Sequence, residues 1–393
     1  MIKCKKWFLS VLVVSLLLVF FGVLCNAEEA GTVPKVYLNG KQIEFDVAPY
    51  VESNRIFVPI RTVSESLKYD VLWNGEDQSV RITDGMKTVI LYLGKVEYTD
   101  NGEIRISDVA PKAISGRTLV PIRLISESFG CNVDWKNEEY SAYITSCNTV
   151  EAKNAHELLS AVANDTRIVL TGSEYNFSEV DFSTIINEHI TFGEFCEDEV
   201  VIQGVKNLII EGAPGNNPQL VTESAYANVL CFSGCTKIGL INFTAGHKVE
   251  KGTCIGGVIK FLESRYSYVE NCRLYGCGTY GITTEYSDNI DISNTEIYEC
   301  TYGAVSLYHS RDIEFDNCIF RDCREFSIFD YVSCENIMVA NSVIKNNISG
   351  EYSALISSYE SKNAEFNNCV FEANSAANFT DGDGIIINNS SIK

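Results

Sequence analysis

Histidine, positive charge and long hydrophobic runs are all scarce in this chain of 393 residues. Only four histidines occur and the first is His156, so residues 1–155 cannot form a metal site from imidazole ligands. Lysine and arginine number 31 against 52 aspartate and glutamate, a net charge of −21. This charge opposes nucleic acid and anionic lipid, and it disfavours polyanionic sugars unless a cation bridges them. After the apolar run at residues 7–24, no second run reaches membrane-spanning length.

Residues 1–27 have the three parts of a secretory signal peptide. Three lysines lie within the first six residues, the apolar run follows, and small residues lead up to Ala27. We expect cleavage after Ala27 and a secreted protein, extracellular or loosely associated with the cell wall. Two alternatives stay open: acylation of Cys25, which the bulky Leu24 disfavours, and retention of the run as a membrane anchor.

A unit of 62 residues is duplicated within residues 34–147. The tetrapeptide Val-Pro-Ile-Arg at 58–61 recurs at 120–123, and other pairs share the same offset. These pairs are Asp46 with Asp108, Pro49 with Pro111, Arg55 with Arg117, and Trp73 with Trp135. In each unit a short strand precedes a helix whose apolar residues are four apart, and a hairpin follows. The pattern predicts two small α+β units packed as one domain.

This paired pattern resembles the copper amine oxidase N-terminal-like domain, also called a stalk domain. The resemblance implies a spacer or attachment module of exported proteins. Because residues 34–147 contain no histidine, it implies neither copper binding nor amine oxidation. The repeated arginines are expected to pair with nearby carboxylates as part of the scaffold. Cys131 and Cys147 flank the last hairpin, and either a disulfide or two free thiols fits their placement.

Residues 152–393 are expected to form the second domain, and their pattern becomes periodic from about residue 200. A helix beginning at Asn154, with Glu157 at capping-box spacing, is expected to cover the open N-terminal end of the repeat. Asparagine then recurs every 23 to 27 residues, and three apolar columns keep register with it. The columns are Val269, Ile292, Phe315, Val339 and Phe366; Leu274, Ile297, Phe320, Ile344 and Phe371; and Ile259, Ile282, Val305, Phe329 and Ile356. They predict a three-sided coil of parallel strands in which like residues stack about 4.8 Å apart.

Polar and cysteine columns accompany the apolar ones. The asparagines are expected to form an internal ladder, because a buried amide must bond to its neighbours above and below. They are Asn271, Asn294, Asn317, Asn341 and Asn368, with a second column at Asn289, Asp312, Asn336 and Asn363. Cysteines fill two further columns, Cys277, Cys300 and Cys323, and Cys272, Cys318 and Cys369. Their parallel side chains favour buried free thiols over disulfides.

The repeat resembles the right-handed β-helix family, which includes pectate-lyase-like proteins. The expected fold is therefore mainly β: a right-handed, single-stranded parallel β-helix behind a small duplicated α+β domain. The resemblance says little about activity, because this coil serves lyases, hydrolases, epimerases and adhesins.

One wall of the coil carries side chains suited to sugars. Catalytic candidates are Glu285, Asp330 and His309, with His247 in a longer, glycine-rich coil between Asn242 and Asn271. Binding candidates are Lys260, Tyr308 and Tyr359. Glu285 and Asp330 are two rungs apart, or roughly 10 Å, at or beyond the wide end for an inverting pair of carboxylates. A solvated acidic wall without chemistry is the alternative.

These observations favour a secreted or cell-surface protein that is not catalytic and that presents a β-helix wall for carbohydrate binding or adhesion. The alternative is a polysaccharide lyase or glycoside hydrolase acting on a cell-wall or plant polysaccharide. The expected partner is a polysaccharide or cell-wall glycan, with no nucleic acid and no copper. Membrane contact is expected only through an uncleaved signal segment. No metal site is predicted, because the segment at 381–384 lacks most of a calcium loop. Calcium is expected only if the protein is a lyase.

Overall fold

The computed structural model describes residues 33–85, 87–193, 199–250, 253–276 and 278–393. The signal peptide expected at residues 1–27 lies outside them. The described α-helices are α1 (Ile60–Ser66), α2 (Ile122–Ser128) and α3 (Ala155–Ala161). Single turns of 3₁₀ helix occur at Asn137–Glu139, Phe177–Glu179 and Phe182–Thr184. No helix among the described residues is long and apolar enough to span a membrane.

The front module, residues 35–145, contains three small sheets and α1 and α2. Its strands are β1 (Lys35–Leu38), β2 (Lys41–Gln42), β3 (Tyr50–Glu52), β4 (Arg55–Pro59), β5 (Asp70–Asn74), β6 (Ser79–Thr83), β7 (Thr88–Tyr92), β8 (Glu97–Asp100), β9 (Glu103–Ile106), β10 (Lys112–Ile114), β11 (Arg117–Pro121), β12 (Asn132–Lys136) and β13 (Ser141–Thr145). The sheet orders are β12-β13-β1-β2, β10-β11-β4-β3 and β5-β6-β7-β8-β9.

The two repeats of the front module pair with each other. Strands β4 and β11 run antiparallel with Val58 opposite Val120, and both valines are fully buried. The arginine of each repeat pairs with the aspartate of the other: Arg55 with Asp108, and Arg117 with Asp46 at 2.7 Å. These exposed crosswise pairs place the repeated arginines in the scaffold, as predicted. Such pairs add at most about 1 kcal/mol to stability, so the shared apolar core holds the module together.

The end of the front module contains Cys131 and Cys147, which could have formed a disulfide or remained free thiols. Gly130 ends the segment after α2 with a φ of +78°, a conformation that a side chain would strain. Cys131 and Cys147 follow on either side of the hairpin formed by β12 and β13, and both are free thiols. Burial raises the pKa of the Cys147 thiol to about 12, so this thiol stays protonated at neutral pH.

Strands β14 to β43 form the β-helix, and almost all of them pair in parallel. Sheet 1 contains β14 (Asn148–Ala152), β15 (Thr166–Leu170), β19 (Lys206–Gly212), β22 (Thr236–Ile241), β25 (Arg265–Glu270), β28 (Asp288–Ser293), β31 (Arg311–Asp316), β35 (Glu335–Ala340), β39 (Lys362–Asn367) and β42 (Ile385–Asn388), in that spatial order. Sheet 2 contains β16 (Glu174–Asn176), β20 (Gln219–Thr222), β23 (Thr244–His247), β26 (Arg273–Tyr275), β29 (Glu296–Tyr298), β32 (Ile319–Arg321), β36 (Val343–Lys345), β40 (Val370–Glu372) and β43 (Ser391–Ile392). Sheet 3 contains β17 (Ile190–Phe192), β18 (Val200–Gln203), β21 (Leu230–Ser233), β24 (Ile259–Leu262), β27 (Tyr280–Glu285), β30 (Gly303–Tyr308), β34 (Phe329–Val332), β38 (Ala354–Tyr359) and β41 (Asn378–Gly382). Two short strands, β33 (Arg324–Glu325) and β37 (Ile348–Ser349), pair at one corner.

The three apolar columns predicted from the sequence are confirmed. Each column belongs to one sheet, and its members are hydrogen-bonded partners in register, as Ile292, Phe315 and Val339 are in sheet 1. The columns share one continuous core, in which their members are at most 1% exposed. Helix α3 joins this core through Leu158 and Leu159, and the Asn154 side chain accepts a hydrogen bond from the Glu157 amide. The predicted covering helix is therefore present at the N-terminal end.

The asparagine ladder exists, but its predicted internal position is wrong. Asn294, Asn317, Asn341 and Asn368 are exposed, and each has a φ near +50°. Asparagine recurs at this corner because it tolerates the left-handed conformation that a tight turn between sheets requires. The amides still bond along the column, as Asn317 Nδ2 donates to Asn294 Oδ1 at 2.7 Å.

Small polar residues and thiols occupy the buried positions next to these turns. Ser342 donates its hydroxyl to the Ala340 carbonyl and accepts the amide of Cys318, both within the buried interior. Ten described cysteines are free, including Cys272, Cys300, Cys318, Cys323 and Cys369 of the predicted columns. Cys277 lies outside the described residues, and Cys254 of the longer coil is disulfide-bonded. Burial raises the pKa of the Cys272 and Cys318 thiols to about 12.

Candidate functional site

The predicted wall is the outer face of sheet 3, and its register aligns two outward columns. The first runs Lys260, Thr283, Ser306, Asp330 and Ser357. The second runs Leu262, Glu285, Tyr308, Val332 and Tyr359. We call these two columns the sheet 3 wall. Six of the seven candidate residues lie on it or directly beside it, and only His247 lies elsewhere.

Glu285 and Lys260 form an ion pair on this wall. Lys260 Nζ lies 2.7 Å from Glu285 Oε1, and the two side chains are 24% and 31% exposed. Parallel strands in register bring these side chains together from adjacent rungs, one column apart. The pair holds the Glu285 carboxylate against a cation and leaves both groups able to hydrogen-bond a hydroxyl.

Asp330 lies apart from that pair. It is two rungs from Glu285 and in the other column, which separates their Cα atoms by about 12 Å. Inverting glycosidases hold their two carboxyl groups roughly 6.5–9.5 Å apart, so these two side chains would have to lean toward each other across the wall to reach that range. Burial raises the pKa of the Asp330 carboxyl, and a hydrogen bond with Ser357 partly opposes that shift. The arrangement therefore supplies two separate polar contacts rather than a converging acid–base pair.

Exposed aromatic rings line the edge where the strands of sheet 3 end. Tyr286 and His309 occupy left-handed turn positions with φ of 49° and 46°, and their rings stack at 5.1 Å. Tyr308 meets both rings edge-on, at 5.5 Å from Tyr286 and 4.2 Å from His309. Tyr359 lies two rungs further along the Tyr308 column and is 62% exposed. Exposed aromatic rings grouped in this way are typical of binding surfaces.

Sequence reasoning missed two parts of this aromatic frame. Tyr286 was overlooked although it precedes His309 by the 23-residue repeat and so shares its turn position. At the opposite edge, Tyr302 contacts Phe326 at 4.7 Å and Tyr280 at 6.3 Å. These residues lie where strands begin, and the column alignment did not extend to them. The wall thus has a polar floor between two aromatic edges.

His247 does not belong to the wall. It lies on β23 of sheet 2, is 4% exposed, and its Nε2 is 2.9 Å from the Ala227 carbonyl oxygen. Burial lowers the pKa of its imidazole, so the ring is neutral near pH 7. This placement is that of a buried structural histidine at the root of the longer coil.

The outer face of sheet 1 has a different character. Asp291, Glu314, Met338 and Glu365 form one outward column there, beside a groove of about 610 Å³. Burial raises the pKa of the Asp291 carboxyl, and burial with the neighbouring charge of Asp291 raises that of Glu314. The column could have been found from the sequence, because each member stands three residues before a ladder asparagine. Among the described residues, however, no three histidine, cysteine or acidic side chains are grouped as metal ligands.

The chain belongs to the right-handed β-helix family. Residues 167–344 and 259–393 both match the family described as Right handed beta helix region. Residues 37–144 match the Copper amine oxidase N-terminal domain, which confirms the resemblance seen in the duplicated front module. Both assignments agree with the fold predicted from the repeats.

Individual relatives are distant. A curated relative named Protease inhibitor, from Brevibacillus choshinensis, is 26% identical over 99 residues, which cover 25% of this chain and 30% of that protein. A pectate lyase from a Bacillus species, solved with trigalacturonate, has a TM-score of 0.38 at 11% identity over 62% of this chain and 82% of its own. The Streptococcus pneumoniae surface protein and adhesin PfbA has a TM-score of 0.38 at 13% identity over 63% and 73%. Likenesses this low carry no argument about activity.

Proposed function

We propose that this protein is a secreted or cell-surface carbohydrate-binding protein, whose sheet 3 wall contacts a glycan while the front module acts as a spacer. The observation that carries the proposal is the combination of a hydroxyl- and carboxylate-bearing floor with exposed aromatic edges. Sugar rings present apolar faces that pack on aromatic rings and hydroxyls that bond to charged groups. The Lys260–Glu285 pair and the exposed Tyr286–His309 stack provide these two kinds of contact.

A second candidate function is that of a polysaccharide lyase or glycoside hydrolase. Asp330 favours it, because a half-buried carboxyl with a raised pKa is what a general acid requires. The wide separation of Asp330 from Glu285 and the commitment of Glu285 to Lys260 weigh against it. Calcium would be expected only if the chemistry were that of a lyase.

The test uses two tyrosines with the same backbone strain and exposure. Tyr286 and Tyr266 are both 56% exposed with φ near +50°, but Tyr266 lies beside the sheet 1 groove. Binding of the mature protein to neutral and acidic polysaccharides should weaken roughly tenfold in Tyr286→Ala and remain unchanged in Tyr266→Ala. Equal loss in both variants would contradict a site on the sheet 3 wall.

The same panel separates binding from catalysis. Reducing ends and unsaturated products are measured with and without added calcium. Saturable binding without products supports the binding function. Turnover that disappears in a Glu285→Gln, Asp330→Asn double variant would replace it with the enzymatic alternative.

A further inference from the structure

A cavity of about 460 Å³ lies between the front module and the first turns of sheet 1. Strands β8 and β9 of the front module cover this end of the sheet. Arg105 of β9 forms an ion pair with Glu270 of β25, and the Asn271 amide donates to Glu103 at 3.3 Å. The cavity is partly enclosed, and its volume falls in the range of about 300–1,000 Å³ that ligand pockets occupy.

Arg167 is a buried charged residue that lines this cavity. It is 1% exposed, although arginine is rarely buried without a specific role. Its Nε donates to Glu211 at 2.8 Å and its Nη1 to Asp84 at 2.7 Å. The remaining nitrogen, Nη2, is buried without a hydrogen-bond partner among the described residues. A buried donor left in this state destabilises the folded protein unless something else accepts from it.

Arg105 repeats the pattern from the front module. Its guanidinium pairs with Glu270 and Glu103, while its Nε is buried and has no partner among the described residues. Lys87, another lining residue, pairs with Asp100 at 3.1 Å. A fourth lining cation, Arg123, has its Nε 3.9 Å from Glu127. Each of the four cations is therefore already paired with a carboxylate, and hydrogen-bonding capacity is what remains.

Paired charges together with unused hydrogen-bond donors determine which kind of ligand the cavity can bind. An anion finds no unpaired positive charge, and a cation finds carboxylates that are already engaged. A neutral ligand with several hydroxyls can accept from the spare guanidinium nitrogens and donate to the carboxylate oxygens, which are strong, charge-assisted contacts. The rings of Tyr98 and Tyr268, which also line the cavity, offer apolar faces.

We propose that the junction of the front module and the β-helix is a second ligand site, which binds a neutral saccharide between Arg167 and Arg105. The site is separate from the sheet 3 wall and does not depend on the function proposed for it. Because its walls come from both domains, the bound sugar holds the front module against sheet 1.

The test is calorimetric titration of the mature full chain with uncharged disaccharides, namely cellobiose, maltose and N,N′-diacetylchitobiose. Digalacturonate and the glucosamine disaccharide serve as anionic and cationic comparators. We expect at least one neutral disaccharide to bind with a Kd below about 1 mM, and Arg105→Gln to weaken it at least about tenfold. Arg311→Gln is the matched control, because Arg311 also pairs with a carboxylate, Asp288, but lies outside the cavity.

A second variant covers the case in which Arg105→Gln separates the domains, which small-angle scattering would detect. Ser128 lines the cavity, so Ser128→Trp fills the space and should abolish binding without removing a charge. Tyr286→Ala, at the edge of the sheet 3 wall, should leave this binding unchanged. Absence of binding by every neutral disaccharide, equal binding of the charged comparators, or loss of binding only in Tyr286→Ala would overturn the proposal.

Discussion

The inward and outward columns of a single sheet follow opposite rules in this β-helix. In sheet 1 the inward column keeps large apolar residues at successive rungs, Val269, Ile292, Phe315, Val339 and Phe366. The outward column beside it changes character at nearly every rung, through Tyr268, Asp291, Glu314, Met338 and Glu365. The same backbone ladder carries both columns, so the strands themselves tolerate either pattern.

The difference shows which positions determine the stability of the coil. No single rung can bury its own apolar side, so each depends on the rung above and below for a continuous core. An inward change is therefore felt by two neighbours, whereas an outward change alters only a local surface. Between these extremes lie the turn positions, which must satisfy a backbone requirement while remaining exposed. Substitutions at the three kinds of position should accordingly differ in size.

The largest effect is expected inside the coil, from Phe315→Asp. Phe315 is fully buried and its ring contacts that of Phe320 at 5.7 Å. Aspartate there places a carboxylate in an apolar column and also leaves a cavity, a combined loss of more than about 4 kcal/mol. We expect little soluble protein, or a melting temperature too low to measure, by circular dichroism.

Arg311→Ala is the control from the same strand. The Arg311 side chain is 63% exposed and its pair with Asp288 spans 3.4 Å, so its removal should cost less than about 1 kcal/mol. Similar yields and melting temperatures for the two variants would mean that the inward and outward assignments in β31 are wrong.

An intermediate effect is expected at the turns, from Asn317→Ala. Asn317 has a φ of 52° and its amide bonds to Asn294. Alanine loses the amide and strains the left-handed backbone, at a cost of about 1–2 kcal/mol. Asn317→Gly loses the same amide but accepts the backbone, so it should cost less than half as much in urea unfolding. An equal loss in both variants would show that the ladder bond, and not the backbone, determines asparagine at this corner.

The inward columns were predictable because each residue type recurs at one position per turn. Phe315 and Phe320 could be placed on different walls from spacing alone. The asparagine column shows the limit of that reasoning, because periodicity reports which residues stack but not whether they face inward. Asn317 recurs for a backbone reason, its positive φ, which a sequence pattern does not distinguish from a buried ladder.

Contacts between particular side chains of different strands or domains were not predictable. The Lys260–Glu285 pair depends on the register between two strands, and spacing placed both residues on one wall without showing that they touch. The junction cavity depends on how the front module docks, and Arg167 and Arg105 meet there from segments that share no repeat. Nothing in the local sequence around either arginine indicates the partner domain.

The smallest effect is expected on the sheet 3 wall, from Asp330→Asn, and it should depend on pH. Burial raises the pKa of the Asp330 carboxyl in the folded protein above its value of about 3.9 in the unfolded chain. As the pH rises from the unfolded-state pKa to the higher folded-state pKa, the unfolded chain releases the proton first and the wild-type protein loses stability. Asparagine keeps an acceptor for Ser357 but has no proton to lose, so the variant avoids that loss.

The variant should therefore melt with the wild type near pH 3 and about 1–2 °C above it at pH 7, with the gap opening between these values. Asp381→Asn is the control, because Asp381 occupies the same outward column one rung beyond Ser357 but is exposed to solvent. It should follow the wild type at every pH. Thermal melts at half-unit intervals decide the matter: a gap for Asp330→Asn that does not change with pH, or a variant less stable at pH 7, would show that the carboxylate is stabilised on the wall. Such a result would mean that the Asp330 carboxylate, although half-buried, is not destabilised by its burial as inward charges are.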